Sequence, residues 1–388
     1  MSISAPSSFG IYIHVPFCKQ ACSYCDFYFV TKTDLLQAYI DRLLEEIDHS
    51  LKSFANGRKL ETIYFGGGTP SRLELWNLDR ILSRIDAITG LSDVREITFE
   101  ANPDDIQKEY LLGLKQIGIT RLSMGIQSFD PALLKFMHRA HSSDEAKKSL
   151  NLIKDAGFKT FTCDLIYGNP NQSLQSLKQD LDTLLSFNPP HISAYALTIE
   201  PATRLGKYHQ LGRLNPLDDE MVVEHMNTVS DTFKEHGLLR YEVSNFAHEG
   251  HESVHNSNYW NHTPYLGLGP GAHSMDYKTD KTGKLLEGIR SNNIPDLKKY
   301  CDDNIQNTSV KEQLTPEQMA EERLLMGLRT REGVKLVELQ NRYGYELSDR
   351  QMEWLNTSNR FNMSESISIS NENLPVADHL ILELISRR

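Results

Sequence analysis

No apolar run in this sequence approaches the roughly 20 residues that span a bilayer, which argues against an integral membrane protein. The first ten residues are small and polar, with no basic segment leading into an apolar one. Export is therefore not expected, and a cytoplasmic location is. Positive charge is also scarce: 41 Lys and Arg face 52 Asp and Glu, a formal net charge of −11. Nucleic acid is a poor default partner for such a chain, because phosphate binding needs a positive field. There are only five cysteines, and three of them fall within Cys18–Cys25. An odd, clustered set is a poor disulfide framework and reads instead as thiols in a reducing compartment, available as ligands. Also missing are a spaced Gly-x-Gly-x-x-Gly, a P-loop, a Cys-x-x-Cys-His heme attachment site, internal repeats and heptads.

What is present is a chain of 388 residues, 39% hydrophobic and 24% charged, enough for one large domain and a smaller one. Six short β-rich runs stand out: Ile11–Val15, Thr62–Phe65, Glu96–Glu100, Arg121–Gln127, Thr160–Tyr167 and His191–Thr198. Helical patterns separate them, at Leu35–Phe54, Glu74–Ala87, Asp104–Ile117, Ser143–Ala156 and Ser173–Ser186. This alternation predicts βαβ units and an α/β fold with a parallel sheet, either open or curled toward a barrel. Polar residues or glycines fall at or near the end of each run: His14, Gly66–Gly68, Glu100, Gln127, Asp164 and Tyr195–Thr198. The C-terminal ends of barrel strands build active sites, so six such endings in succession predict one shared site.

Beyond Thr198 the pattern predicts a helix over Leu217–His236, a strand over Leu239–Phe246, and a Gly-, His- and Asn-rich segment over Ala247–Ser274. Helices are expected again at Pro316–Arg329 and Val334–Tyr343, then an alternating run at Ser366–Ile369 and a last helix at Ala377–Arg388. The expected division is a core domain over 1–240, a connecting segment over 241–312 and a small helical or winged-helix-like domain over 313–388.

Cys18-Lys-Gln-Ala-Cys22-Ser-Tyr-Cys25 follows directly on the first strand. Three thiolates on one short loop can each hold one iron of a [4Fe–4S] cubane, leaving the fourth iron open to a small chelating molecule. Zinc is the alternative, with His14 as a fourth ligand, although structural zinc ligands usually come as two separated pairs. Gly66-Gly-Gly-Thr-Pro70 closes the second strand, where glycines let backbone N–H groups approach a ligand. Cys163, within a strand, reads as a small buried hydrophobe; Cys301 is uninformative.

Together with Thr98-Phe-Glu-Ala-Asn-Pro103, Ser123-Met-Gly-Ile-Gln-Ser-Phe129 and Asp164-Leu-Ile-Tyr-Gly168, these motifs resemble the radical S-adenosylmethionine (radical SAM) superfamily. Within it the chain is most similar to the coproporphyrinogen dehydrogenase (HemN-like) branch and its heme chaperones, almost end to end. The resemblance implies a partial (β/α)6 barrel with a C-terminal accessory domain, a cluster on Cys18, Cys22 and Cys25, and SAM as cofactor. By position it implies Tyr12 and Tyr24 as aromatics of the SAM site, and Gly67, Gly68 and Thr69 around the methionine amino group. Glu100 and Arg139 would face the charged groups of SAM, and Gln127 and Asp164 its ribose hydroxyls. The other reading of Arg139 is a solvated surface charge. The resemblance assigns no catalytic residue here.

Two departures separate the chain from the decarboxylating enzymes of that branch. Their fourth cysteine, two residues past the third, is Phe27 here, and their N-terminal extension ahead of the cluster is short here. His255-Asn-Ser-Asn-Tyr-Trp260 instead resembles the heme-associated motif of the chaperones. An imidazole can ligate heme iron, and Tyr259 and Trp260 offer flat apolar surface. The competing reading is a loop whose aromatics dock on the barrel. Five histidines (248, 251, 255, 262 and 273) fall in this stretch, so the identity of any iron ligand stays open. The implied function is a chaperone that binds heme and passes it to heme-requiring proteins, respiratory ones at the membrane among them. The alternatives are oxygen-independent decarboxylation of coproporphyrinogen III, or radical SAM chemistry on another substrate.

Overall fold

In the computed structural model, which describes residues 7–302 and 309–388, the six β-rich runs become strands paired in parallel and in chain order. They are β1 (Ser8–Val15), β2 (Lys59–Gly67), β3 (Glu96–Ala101), β4 (Arg121–Gln127), β5 (Thr160–Tyr167) and β6 (His191–Ala196). Helices α1 (Leu36–Ala55), α2 (Leu75–Thr89), α3 (Lys108–Gln116), α4 (Pro131–Phe136), α5 (Ser143–Asp155) and α6 (Leu174–Leu185) make the crossovers. The β1 residues Phe9, Ile11, Ile13 and Val15 are wholly buried, as a parallel strand covered by helices requires. On α1, Tyr39, Ile40, Leu43, Ile47 and Leu51 recur at helical spacing and are buried, forming the stripe that seats the helix on the sheet. Each such side chain contributes about 1.5–3 kcal/mol of burial free energy. Ser142 caps α5 in a reciprocal capping box with Glu145.

After β6 come α7 (Arg204–Gln210) and α8 (Asp219–Glu235). The single strand expected over Leu239–Phe246 is two short antiparallel ones, β7 (Leu239–Arg240) and β8 (Asn245–Ala247). A turn reverses the chain between them, closed by Tyr241 N–H to Asn245 O and by Ser244 N–H to the Glu242 carboxylate. The Gly-, His- and Asn-rich segment, for which the pattern gave no elements, is built of regular structure. It holds α9 (Val254–Trp260), β9 (Tyr265–Leu268) and the start of β10 (His273–Thr279). With β11 (Leu285–Asn293), α10 (Leu297–Asp302) and β12 (Ser309–Leu314), these strands carry the sheet outward past β1. The strand order runs from β12 through β9, β1–β6 and β8 to β7, and among the described residues its two edges do not pair, so the sheet is an open arc.

The C-terminal unit begins with α11 (Pro316–Gly327) and β13 (Val334–Lys335). It continues through α12 (Leu336–Glu338), a π-helical turn to Tyr343, α13 (Asp349–Thr357), β14 (Phe361–Met363), β15 (Ser366–Ile369) and α14 (Ala377–Ser386). Val334, expected to open a helix, instead pairs with Ile367 in the small sheet β13–β15–β14. A second hydrophobic core joins this unit to the added strands, with Met275, Leu285 and Leu314 packed among Leu324, Ile367 and Leu380. Among the described residues no helix is long and apolar enough to cross a membrane.

Candidate functional site

The cysteine loop leaves β1 and is tied down on both sides. At its base, Cys18 N–H donates to Val30 O at 2.9 Å and Val30 N–H to Pro16 O at 2.7 Å. On its outer side, Ser23 N–H donates to Met137 O at 3.0 Å, and Ser23 Oγ and Gln20 Nε2 donate to Phe136 O and His138 O. The C-terminal end of the short helix α4, which the sequence reading missed, and the turn after it therefore hold the outer side of the loop. Thr69 Oγ1 lies 3.5 Å from Cys18 Sγ, and Arg139 Nη1 lies 3.3 Å from Cys22 Sγ. Among the described residues no three His, Cys, Asp or Glu groups converge as a single-ion site would need. A cubane, by contrast, spreads three thiolates over three irons. His14, the fourth ligand a zinc site would recruit, is occupied: its ring bonds Tyr12 OH at 3.2 Å and Tyr28 O at 2.8 Å.

Beside this loop a cavity of about 540 Å³ opens within the arc, lined by the C-terminal ends of the strands. Tyr24, Gly67, Gly68, Thr69, Glu100, Gln127, Arg139 and Asp164 all line it, together with the three cysteines. Glu100 accepts from Tyr64 OH at 2.7 Å and from Gly67 N–H at 3.2 Å, and burial pushes its carboxyl above the usual range. Arg139 is no solvated surface charge. Its Nη2 donates to Asn102 Oδ1 at 2.6 Å and Gly125 O at 2.8 Å, its Nη1 reaches Tyr24 OH at 3.3 Å, and its buried Nε has no partner. Gln127 sits at φ +67°, where β4 shifts register against β5, a backbone state that a non-glycine residue adopts at a cost of about 1–3 kcal/mol. Asp164 accepts from Ser123 Oγ at 3.4 Å and from the Ser193 hydroxyl.

Two predicted residues lie outside this cavity. Tyr12 lines a second, larger one, and the ring nearest it on the smaller cavity's wall is Tyr64, stacked at 6.0 Å. His255 reaches neither. It is buried on α9, with Nδ1 2.8 Å from Thr62 Oγ1, Nε2 2.8 Å from Tyr259 OH, and its ring 5.0 Å from that of Tyr64. The Glu96 carboxylate accepts from Val254 N–H and His255 N–H at 3.0 Å each, fixing the N-terminus of α9 against the sheet. Both ring nitrogens of His255 are thus committed to the core, and coordination of iron would require breaking one of these bonds.

A stability consequence follows. His255→Ala removes two buried hydrogen bonds and leaves a void, an expected loss of about 2–4 kcal/mol in urea unfolding at neutral pH. Burial pushes the imidazole down to about 3 in the folded chain, from an ordinary 6.5. Below 6.5 the unfolded chain therefore binds a proton that the folded chain refuses, and this site's contribution is lost as the pH falls toward 3. The deficit of the variant should shrink in the same direction.

The larger cavity, about 1020 Å³, lies between the added strands and the C-terminal unit. Tyr28, Tyr259, Trp260, Tyr265 and Tyr277 give it aromatic walls, and His14, His262, His273, Glu242, Arg290 and Arg329 give it polar ones. Asp26, Phe27, Tyr195 and Asn256 line both cavities, so the two are contiguous. Sequence reasoning missed Tyr64, Asn102, Ser123, Ser193 and the wall contributed by the C-terminal unit. Asn102 and Ser123 stand inside motifs already noted, whereas nothing in the pattern marked Glu322, Met326 or Arg329 as cavity residues.

The chain matches the radical SAM superfamily model over residues 12–184 and the HemN C-terminal domain model over residues 314–371. It is 34% identical to heme chaperone HemW of Bacillus subtilis over 342 residues, 87% of each chain. It is 36% identical to heme chaperone HemW of Escherichia coli over 288 residues, 73% of each. In three dimensions it resembles coproporphyrinogen III oxidase (HemN) of Escherichia coli, a radical SAM enzyme. The TM-score is 0.81 at 20% identity, over 98% of this chain and 90% of that one, a likeness of fold. With that fold, the cysteine loop at the strand ends and relatives of this similarity, the chain belongs to the HemW heme-chaperone family of the radical SAM superfamily.

Proposed function

We propose that this chain is a cytoplasmic heme carrier. It would hold a [4Fe–4S] cluster on Cys18, Cys22 and Cys25 and SAM in the smaller cavity, and it would load heme in the larger one for delivery to acceptor proteins such as respiratory enzymes. Membership of the superfamily implies the cluster and SAM. Together they supply one-electron reductive cleavage of the sulfonium.

The chain's own residues suit the bound groups. Arg139 lines the smaller cavity and has the planar fork that grips a carboxylate. Gly67 and Glu100 line the same cavity, where the Glu100 carboxylate could meet an ammonium group. Asp164 and Gln127 stand where two hydroxyls could be bound.

The observation that carries the heme reading is the contiguity of the two cavities. The second is large and aromatic, and it shares Phe27 with the first. At 1020 Å³ it reaches the top of the roughly 300–1,000 Å³ range of ordinary ligand pockets, a size suited to a tetrapyrrole. Arg290 and Arg329 are cations for its propionates. Arg329 pairs with Asp378, which is 67% exposed, so that pair is weak and exchangeable, whereas Arg290 is held by the less exposed Glu322 as well as by Glu312.

The test is anaerobic: reconstituted protein is titrated with hemin, and in parallel incubated with coproporphyrinogen III, SAM and a reductant. Stoichiometric hemin uptake without protoporphyrinogen is the expected result; turnover at an enzyme-like rate would overturn the chaperone reading. SAM affinity should depend on pH. Burial and the nearby charge of Glu100 push Asp164 up to about 7. Its ionised form, the better acceptor for two hydroxyls, therefore appears as the pH rises through 7. Calorimetry from pH 6 to 8 should show tighter SAM binding toward the alkaline end, and Asp164→Asn should flatten that trend.

A further inference from the structure

We infer that the iron ligand in the larger cavity is His262, not the histidine of the HNSNYW motif; the assignment rests on the heme reading above. His262 lines that cavity, and its Nδ1 lies 3.2 Å from Tyr343 OH. Its Nε2 has no hydrogen-bond partner among the described residues and is not among the polar atoms sealed from solvent. With Nδ1–H donating to Tyr343, Nε2 keeps its lone pair and is the open edge of the ring. A histidine that ligates metal is normally held in this way, by a partner on its other nitrogen.

The backbone around His262 is equally committed. His262 N–H donates to Tyr259 O at 3.1 Å and Thr263 N–H to Asn258 O at 2.9 Å, the paired bonds of a Schellman ending to α9. His262 therefore occupies the left-handed position, at φ +54°, where glycine is the favoured residue. The chain keeps an imidazole at a place where the fold alone would prefer no side chain. Tyr277 OH donates to its carbonyl, Arg342 Nη2 approaches the same oxygen at 3.5 Å, and the Arg342 guanidinium lies over the rings of Tyr277 and Tyr343. Burial, with Arg323, Arg342 and Arg290 nearby, holds the imidazole well below its ordinary pKa, in the neutral form a metal needs.

The other histidines of this cavity are less suited. Both ring nitrogens of His14 are taken. His273 is exposed and has no hydrogen bond to orient its ring among the described residues. The motif histidine, His255, is sealed in the core. The role left to the motif is to build α9, whose last turn delivers His262 to the cavity.

The test is hemin titration of the full chain, read by Soret absorption and resonance Raman. His262→Gly suits the left-handed backbone, so the fold should survive, as circular dichroism will report. Wild-type protein should show an imidazole-ligated spectrum. His262→Gly should lose that spectrum, bind hemin about tenfold or more weakly, and regain the spectrum with added free imidazole. Tyr343→Phe should shift the iron–imidazole signature without abolishing binding. An unchanged spectrum and affinity in His262→Gly, or loss of ligation with His273→Ala or a folded His255→Ala instead, would overturn the assignment. Failure of the wild-type chain to take up hemin would overturn the heme reading itself. If His262→Gly did not fold, an unaltered signature in Tyr343→Phe would count against the assignment.

Discussion

Cys22→Ala, reconstituted anaerobically with iron and sulfide, is expected to remain essentially colourless and to hold little iron. In the proposed site three thiolates on one loop would hold the cubane, so removing one would leave two irons without a protein ligand. The loss is not readily repaired from nearby: among the described residues the remaining cysteines are Cys163, buried in β5, and Cys301 on α10. Burial raises Cys18, and burial pushes Cys25 up to about 11. Loading must therefore expel protons, and it should slow as the pH is lowered. Iron content and visible absorption measure the result. Full iron and the brown chromophore in Cys22→Ala would refute the cluster assignment.

The second large effect is on folding. Gly67→Ala should cost about 2–4 kcal/mol in urea unfolding of the apoprotein, combining a strained backbone with an overpacked site. Gly67 has φ +105°, and a Cβ built there would lie 2.4 Å from the His14 ring. That ring cannot swing aside cheaply, because Tyr12 and the Tyr28 carbonyl hold both its nitrogens. Gly68 is constrained from the same strand, its Cβ position lying 2.7 Å from Val15 O. The register of β1 on β2, His14 opposite Gly66 and Val15 opposite Gly67, brings the glycines against β1. The triplet thus serves packing as well as any ligand. Wild-type stability in Gly67→Ala would contradict this account.

Much of the barrel was legible in the sequence because its signals are local. Buried parallel strands read as short apolar runs, and their polar endings mark the rim on which a site is built. Arg121–Gln127 and Thr160–Tyr167 appear with the bounds read from the pattern. The added strands were less visible. β11 and β12 alternate only weakly, and their partners are other late strands rather than helices of the core. The short α4 carried no periodic stripe, although it anchors the cysteine loop.

The sequence by itself determined the six parallel strands, the three cysteines on their loop, and most of the side chains that ring the smaller cavity. These follow from spacing along the chain and from which strand end a residue occupies. Only the tertiary structure decided what each histidine does. His255 and His262 lie seven residues apart in one polar segment, yet the first is closed into the core by Thr62 and Tyr259 while the second meets the large cavity beside Tyr343. Availability to a ligand depends on which nitrogens remain unbonded and on which side of a helix faces a void. Those are set by packing partners far away along the chain, and no local pattern records them.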